Sequence, residues 1–343
     1  VPCATTSWRR RQVSERRKPG EFELIERYFA PLSASQPGAF GLTDDAAVLE
    51  IAAGRRLVFS MDTLVAGVHF PKDEPAETTA AKLLRVNLSD LAAMGAVPLA
   101  YTLSTALPES VDSGWLEGFA RGLAVDQEVF GITMVGGDTV ATSGPLTLTL
   151  AALGTVGEGG ELRRATAQPG DIVYVSGTIG DGALGLLARR GELETVAPDE
   201  RSFLVERYRR PEPRLELGQR LIGLAHAAID VSDGLLADLG HVCRASGVDA
   251  AIDVPRLPLS PAARAALRAD PRLIERILTG GDDYELLFTA PPRVRAAMAT
   301  LADEAGVAVT AIGEIAGNGT GVVRVLDTEG GEITFERPGY SHF

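Results

Sequence analysis

The stretch Leu83-Leu84-Arg85-Val86-Asn87-Leu88-Ser89-Asp90-Leu91-Ala92-Ala93-Met94-Gly95 lies between two apolar, strand-like runs at 57–60 and 99–107. Its apolar residues recur at helical spacing, which predicts a helix over 77–94. Strand, helix, strand is the repeating unit of an α/β chain, and the pattern continues outward in both directions. Further helices are expected near 21–30 and 112–129, and further strands over 133–135 and 146–156. Pro169-Gly170 punctuates the chain. A second set follows, with strands at 172–176, 227–231, 284–289, 307–313, 321–326 and 332–335 and helices near 182–190, 234–245 and 292–305. The expected fold is α/β with mixed sheets, an N-terminal α/β domain over 20–165 and a C-terminal one over 166–343.

The opening stretch also carries an oddity. Asn87 and Asp90 are three residues apart, so they share one face of a helix otherwise made of Leu83, Leu84, Val86, Leu88, Leu91 and Ala92. A carboxylate in such a setting is costly to bury unless it is paired or holds a metal. The plain alternative is a helix edge whose polar residues cap a neighbouring segment.

Other aspartates fall beside glycine turns or at the ends of strand-like runs. Asp45 follows a turn, Asp62 follows the run 57–60, and Asp138 follows Gly136-Gly137. Asp230 and Asp233 bracket the end of another strand, and Asp282-Asp283 follow Gly280-Gly281. Strand ends in α/β proteins are where loops converge on ligands. A single such Asp is usually a turn former, but the repetition points to a shared site.

The chain has 343 residues, of which 45% are hydrophobic and 23% charged, enough for two cores. The 46 acidic residues against 33 basic ones leave a net charge of −13, which disfavours nucleic acid and anionic membranes as partners. No run approaches a membrane helix, because 86–107 is interrupted by Asp90 and Pro98. Cys3 and Cys243 are far apart and outside any C-x-x-C, so neither a disulfide framework nor a cysteine zinc site is expected, and the cytoplasm is the expected compartment. Residues 1–19 are rich in arginine and lack the apolar core of a secretory signal. They read as a basic tail or an over-long translation start.

Lys18, Lys72 and Lys82 are the only lysines, and none follows a glycine, so a Walker loop is absent. Gly180-Asp181-Gly182-Ala183-Leu184-Gly185 has the form of a dinucleotide fingerprint after a strand. No second strand with an acidic end follows it, and a tight strand-to-helix turn is the better reading. Gly317-Asn318-Gly319-Thr320-Gly321 reads as a hairpin turn. Clustered carboxylates with four histidines and no cysteine pair select Mg²⁺ or Mn²⁺ over zinc, and several such ions suggest phosphate chemistry.

Several motifs occur in order along the chain. They are Gly20-Glu21-Phe22, Asp44-Asp45-Ala46, Asp62-Thr63-Leu64-Val65-Ala66-Gly67-Val68-His69-Phe70, the stretch around Asn87 and Asp90, and Gly136-Gly137-Asp138. Asp230-Val231-Ser232-Asp233-Gly234-Leu235, Gly281-Asp282-Asp283-Tyr284-Glu285-Leu286 and the terminal Gly339-Tyr340-Ser341-His342-Phe343 complete the series. Taken together they resemble the motifs of the thiamine-monophosphate kinases, and the resemblance covers residues 20–343. D-T-L-V-x-G-x-H-F and the terminal motif separate this family from the related aminoimidazole ribonucleotide synthetases, selenophosphate synthetases and hydrogenase-maturation proteins.

The resemblance implies a two-domain aminoimidazole ribonucleotide synthetase-like fold and a homodimer. It implies ATP-dependent phosphorylation of thiamine monophosphate to thiamine diphosphate by direct transfer, assisted by several Mg²⁺ ions. By position, Asp45, Ser60, Asp62, Asp90, Asp138, Asp230 and Asp233 correspond to metal ligands, with Asp62, Asp138 and Asp230 central to catalysis. Gly137, Asp138, Arg164 and Ser232 correspond to ATP contacts, and His69, Asp282 and Tyr340 to the thiamine-phosphate side. Three positions depart from the family pattern: Met61 replaces a threonine, Thr43 a glycine, and Asp282 a glutamate. The other readings are a superfamily member with a different acceptor, or a non-catalytic nucleotide- or thiamine-phosphate-binding regulator.

Overall fold

In a computed structural model, residues 20–335, 339 and 340 are described; the basic leader and the terminal Ser341-His342-Phe343 lie outside them. In chain order the helices are α1 (Glu21–Leu24), α2 (Ala76–Ala93), α3 (Ser113–Phe130), α4 (Asp181–Arg189), α5 (Pro198–Arg209), α6 (Leu215–Arg220), α7 (Leu235–Ser246), α8 (Pro261–Ala269), α9 (Leu273–Thr279) and α10 (Arg295–Ala305). The strands are β1 (Arg55–Val65), β2 (Val97–Leu107), β3 (Thr133–Ala141), β4 (Thr147–Gly157), β5 (Ile172–Ser176), β6 (Ala227–Asp230), β7 (Val248–Asp253), β8 (Leu286–Ala290), β9 (Val309–Asn318), β10 (Val323–Leu326) and β11 (Glu332–Ile333).

The first four strands form one sheet in the order β1-β4-β2-β3, in which only β2 and β3 run parallel. The other seven form a second sheet, β11-β10-β7-β9-β5-β8-β6. Both sheets mix parallel and antiparallel pairs, as expected for this α/β class. Helix α2 joins them. Only Glu77, Arg85 and Asp90 of its residues escape burial, so it is enclosed nearly all round, as a helix between two layers must be. Leu83, Leu84, Leu88 and Leu91 pack with the first sheet, and Ala92 and Ala93 with Tyr174, Phe288 and Leu286 of the second.

Local chemistry explains most boundaries. Asp112 caps α3, accepting from the Trp115 amide at 2.8 Å, and Gly131 ends it in the left-handed conformation. The helix expected near 21–30 is present but changes pitch along its length, with α1 running into a π-helical turn over Ile25–Phe29 and a 3-10 turn beginning at Ala30-Pro31. Asp62 and Asp138, read as strand-end residues, sit inside β1 and β3. The glycines before Asp138 belong to β3, and a Cβ at Gly137 would come 2.0 Å from the Leu103 carbonyl oxygen.

Two glycine-rich runs differ from their sequence signals. Gly317 to Gly321 is no hairpin, because β7 lies between β9 and β10. One Asp249 oxygen accepts from the Thr320, Gly321 and Val322 amides and shapes this crossing, which holds its carboxyl below the usual range. At Gly180-Asp181-Gly182 the strand-to-helix turn is as expected, but the amides of Gly180 and Gly182 are taken by the buried Asp283 carboxylate at 2.6 and 2.8 Å. No phosphate cradle is left, which excludes the dinucleotide reading on geometry.

Candidate active site

The carboxylates are brought together from both sheets. Asn87, fully buried on α2, donates to the Leu83 carbonyl and accepts from the Asp62 amide at 3.1 Å. It therefore ties α2 to β1 and fixes the backbone that presents Asp62. One turn on, Asp90 accepts a short hydrogen bond from Ser60 of the same strand. Ser89 donates to Asp230 at the end of β6 at 2.8 Å, so α2 also holds the second sheet's acid. The turn after β6 is closed by Asp238, which accepts from the amides of Ser232, Asp233 and Gly234. Asp233, Asp238 and His241 present ligand atoms within 4.8 Å of one another.

Crowding is visible in the proton affinities. Burial, then the charges of Asp90 and Asp233, push Asp62 up to about 6. Burial also raises Asp90, and burial with the Asp90 charge raises Asp230 well above the ordinary carboxylate value; the Arg164 guanidinium partly offsets both. Asp238 is pushed up to about 7 by burial and Asp233, against its three amide bonds. The set consists of hard oxygen donors with excess negative charge, which fits divalent Mg²⁺.

The sign of the pH dependence follows. A carboxyl raised on folding adds stability that is full below its unfolded value and lost as pH rises through its folded value, here between about 4 and 7. Mg²⁺ offsets the repulsion only when these groups are ionised. The melting temperature gained on adding Mg²⁺ is therefore expected to be small at pH 5 and larger at pH 7.5, read by differential scanning fluorimetry. An increment independent of pH would remove these carboxylates as the metal donors.

Asp62 and Asp233 line a cavity of about 1320 Å³, together with His69, Ser232, Asp282 and Tyr340. This exceeds the roughly 300–1000 Å³ of a single-ligand pocket and leaves room for two substrates. His69 Nδ1 accepts from the Val65 amide at 2.9 Å, so a neutral ring carries its proton on Nε2 and can donate there. The Tyr340 amide donates to the Asp233 carbonyl at 3.0 Å, tying the C-terminal segment to the loop that carries Asp233. Asp282 and Tyr284 both have positive φ, 72° and 52°, in a turn held by Asp283 and by Ser232. Strain of this kind persists where surroundings over-determine it, often at ligand sites.

Asp45 and Asp138 are not part of this cluster in one chain. Asp62 pairs with Leu150, Leu150 with Leu103 and Leu103 with Gly137, so Asp62 and Asp138 are three strand spacings, or about 14 Å, apart. Both Asp45 and Asp138 are exposed. The segment carrying Asp45 packs on the β3 side, where Ala39 and Leu42 meet Val135 and Ala100. Thr43 has a negative φ of −105°, so its turn needs no glycine there; the left-handed residues are Phe40, Gly41 and Leu42. The Met61 side chain is 59% exposed on a stripe with Leu57 and Phe59.

Sequence reading missed Lys82, Tyr208, Asp238 and His241. The one signal available was Lys82 itself, a rare lysine on an apolar helix. It also missed α5, α6, α8, α9 and β7. Residues 191–215 read as polar because their arginines neutralise distant buried acids. Arg209 pairs with Glu74, and Arg207 and Arg214 with Glu285.

Residues 43–156 match the family described as AIR synthase related protein, N-terminal domain, and residues 168–326 its C-terminal domain. The chain is 46% identical over 327 residues to the thiamine-monophosphate kinase of Caulobacter vibrioides, covering 94% of this chain and 91% of that one. It is similar to the crystal structure of the thiamine-monophosphate kinase from Stenotrophomonas maltophilia, with a TM-score of 0.76, 45% identity, and coverage of 83% of this chain and 89% of that one. It is also similar to AaThiL complexed with AMPPCP and TMP, with a TM-score of 0.73, 30% identity, and coverage of 90% and 98%.

Proposed function

The chain belongs to the thiamine-monophosphate kinase family within the AIR-synthase-related proteins, and on that premise we propose that it transfers the γ-phosphoryl group of ATP directly to the phosphate of thiamine monophosphate. The observation that carries this is that Asp62 and Asp233 line a cavity that His69, Asp282 and Tyr340 also line, with the charges of Asp90 and Asp233 bearing on Asp62 and that of Asp90 on the buried Asp230. Bound Mg²⁺ would neutralise the phosphate oxygens and let two polyanions approach.

The chain's own residues do the rest. Asp62, Asp90, Asp230 and Asp233 hold the ions with Ser60 beside them, Arg164 and Ser232 contact ATP, and Gly137, next to Asp138 on β3, contacts it from a second copy. His69 Nε2 donates to the acceptor phosphate, while Tyr340 stacks on the thiazolium or pyrimidine. The acceptor is largely ionised near pH 7, so alignment and charge neutralisation replace a general base. The division near residue 165 places a shared cleft between two α/β domains, and the enzyme works in the cytoplasm with its ATP. Among the described residues no helix is long and apolar enough to cross a membrane.

The functional unit is a homodimer in which a second copy supplies Asp45 and Asp138. In a single chain these residues sit at the β3 edge, about 14 Å from Asp62 by strand spacing. Strands β1 and β3 are the two open edges of the first sheet, and exposed Leu57, Phe59, Met61 and Val140 make it apolar near them. Closing the edges of two copies on each other buries that stripe and brings the two half-sets of acids together.

Purified protein incubated with ATP, Mg²⁺ and thiamine monophosphate is expected to yield thiamine diphosphate and ADP in equal amounts. ADP formed with another acceptor and no thiamine diphosphate would overturn the assignment.

A further inference from the structure

Lys82 lies on α2 and lines the cavity, yet its side chain is only 4% exposed. Its Nζ stands 2.8 Å from Asp282 Oδ1, donates to the Tyr208 carbonyl at 3.2 Å and sits 3.5 Å from the centroid of the Tyr208 ring. An ammonium has three N–H groups, and the carboxylate, carbonyl and ring occupy its three directions. Nothing is left over for a phosphate, so Lys82 is built as a clamp. What it clamps is unusual: Asp282 has φ 72° and a side chain 25% exposed in the cavity wall.

The backbone around Asp282 is already held, since its amide donates to the Ser232 carbonyl at 3.0 Å and Asp283 is locked onto the α4 turn. That leaves the carboxylate's rotation as the remaining freedom, and Lys82 removes it from 200 residues away in the sequence. An ammonium arriving from α2 also couples the substrate turn to the helix that carries Asp90.

We propose that Lys82 is a positioning residue that fixes one oxygen of Asp282 so that the other faces the cavity and accepts a hydrogen bond from an N–H donor on a cationic heterocyclic phosphate. The inference rests on the thiamine-phosphate reading of this cavity. It makes Lys82 and Asp282 one recognition unit, selective for the organic half of the substrate and indifferent to ATP.

A double-mutant cycle tests this, with calorimetric binding of thiamine monophosphate and of ATP, steady-state KM values and thermal melts for wild type, Lys82→Met, Lys82→Arg, Asp282→Asn and Lys82→Met/Asp282→Asn. Loss of one charge-assisted contact is worth about 10- to 100-fold. Lys82→Met and Asp282→Asn are each expected to weaken thiamine monophosphate by that amount and to leave ATP within about twofold. The double variant should bind no worse than Asp282→Asn and melt higher, because it no longer buries an unpaired ammonium. Lys82→Arg should retain most of the selectivity.

Additive losses in the double variant would overturn the proposal, as would equal losses for both ligands. A wild-type protein that binds thiamine monophosphate without phosphorylating it refutes the kinase reading alone, and the calorimetric cycle still decides Lys82. A wild-type protein that does not bind it overturns both.

Discussion

When Asp62→Asn and Asp138→Asn chains are coexpressed in equal amounts, activity is expected to return to about one quarter of wild type, although each variant alone is nearly inactive. Alone, each removes a charge that holds metal and phosphate in the transition state, and turnover should fall by roughly 10²- to 10³-fold or more. Both side chains are solvent-accessible in part, so the fold should survive, which circular dichroism checks. The recovery comes from the strand order. With β4 and β2 between β1 and β3, one chain separates Asp62 from Asp138, and a dimer that closes β1 against a partner's β3 forms each site from two chains. Half of the mixed dimers' sites are then intact, and half of the dimers are mixed. If the mixture stays at the level of the single variants, Asp138 acts within its own chain or outside the site.

The second large effect is on stability. Glu285 is fully buried, accepts from Arg207 at 2.8 Å and from Arg214 at 2.7 and 2.6 Å, and takes the Ser176 hydroxyl at 2.6 Å. It anchors the connection between α5 and α6 to the start of β8, beside the Asp282 turn. Glu285→Gln removes the buried charge that two guanidinium groups share and leaves them only the exposed Glu212, a loss of about 3–5 kcal/mol. The melting midpoint should drop by roughly 10 °C. Replacing Glu285 and Arg214 together by Met should recover part of that loss, because an apolar pair needs no compensation. A midpoint within about 2 °C of wild type for Glu285→Gln would mean that the network adds little.

The features legible in the sequence were the local ones. Strand β5 is found where its apolar run predicted it, and α2, α3, α4 and α7 lie within a residue or so of their expected bounds, because periodicity reports which face of each segment is buried. Helix α5 failed for the opposite reason. Its arginines make it look like a solvated loop, and their partners Glu74 and Glu285 lie 78 and more residues away in the chain. Aspartate placement was only half legible. Asp230 ends a strand as expected, but Asp62 and Asp138 are interior strand residues, since extended backbone continues through the glycines and polar residues that look like a stop.

By itself the sequence determined the alternation of elements, the family to which they belong and the inventory of hard oxygen donors. These depend on residue type and short-range spacing, which a linear reading preserves. Only the tertiary structure decided how those donors are grouped. Strand order is a long-range choice, so it alone split Asp45 and Asp138 from Asp62, Asp90, Asp230 and Asp233. Burial, which no local pattern reports for a polar residue, made Asn87 a tie to β1 and turned Lys82 into the partner of Asp282.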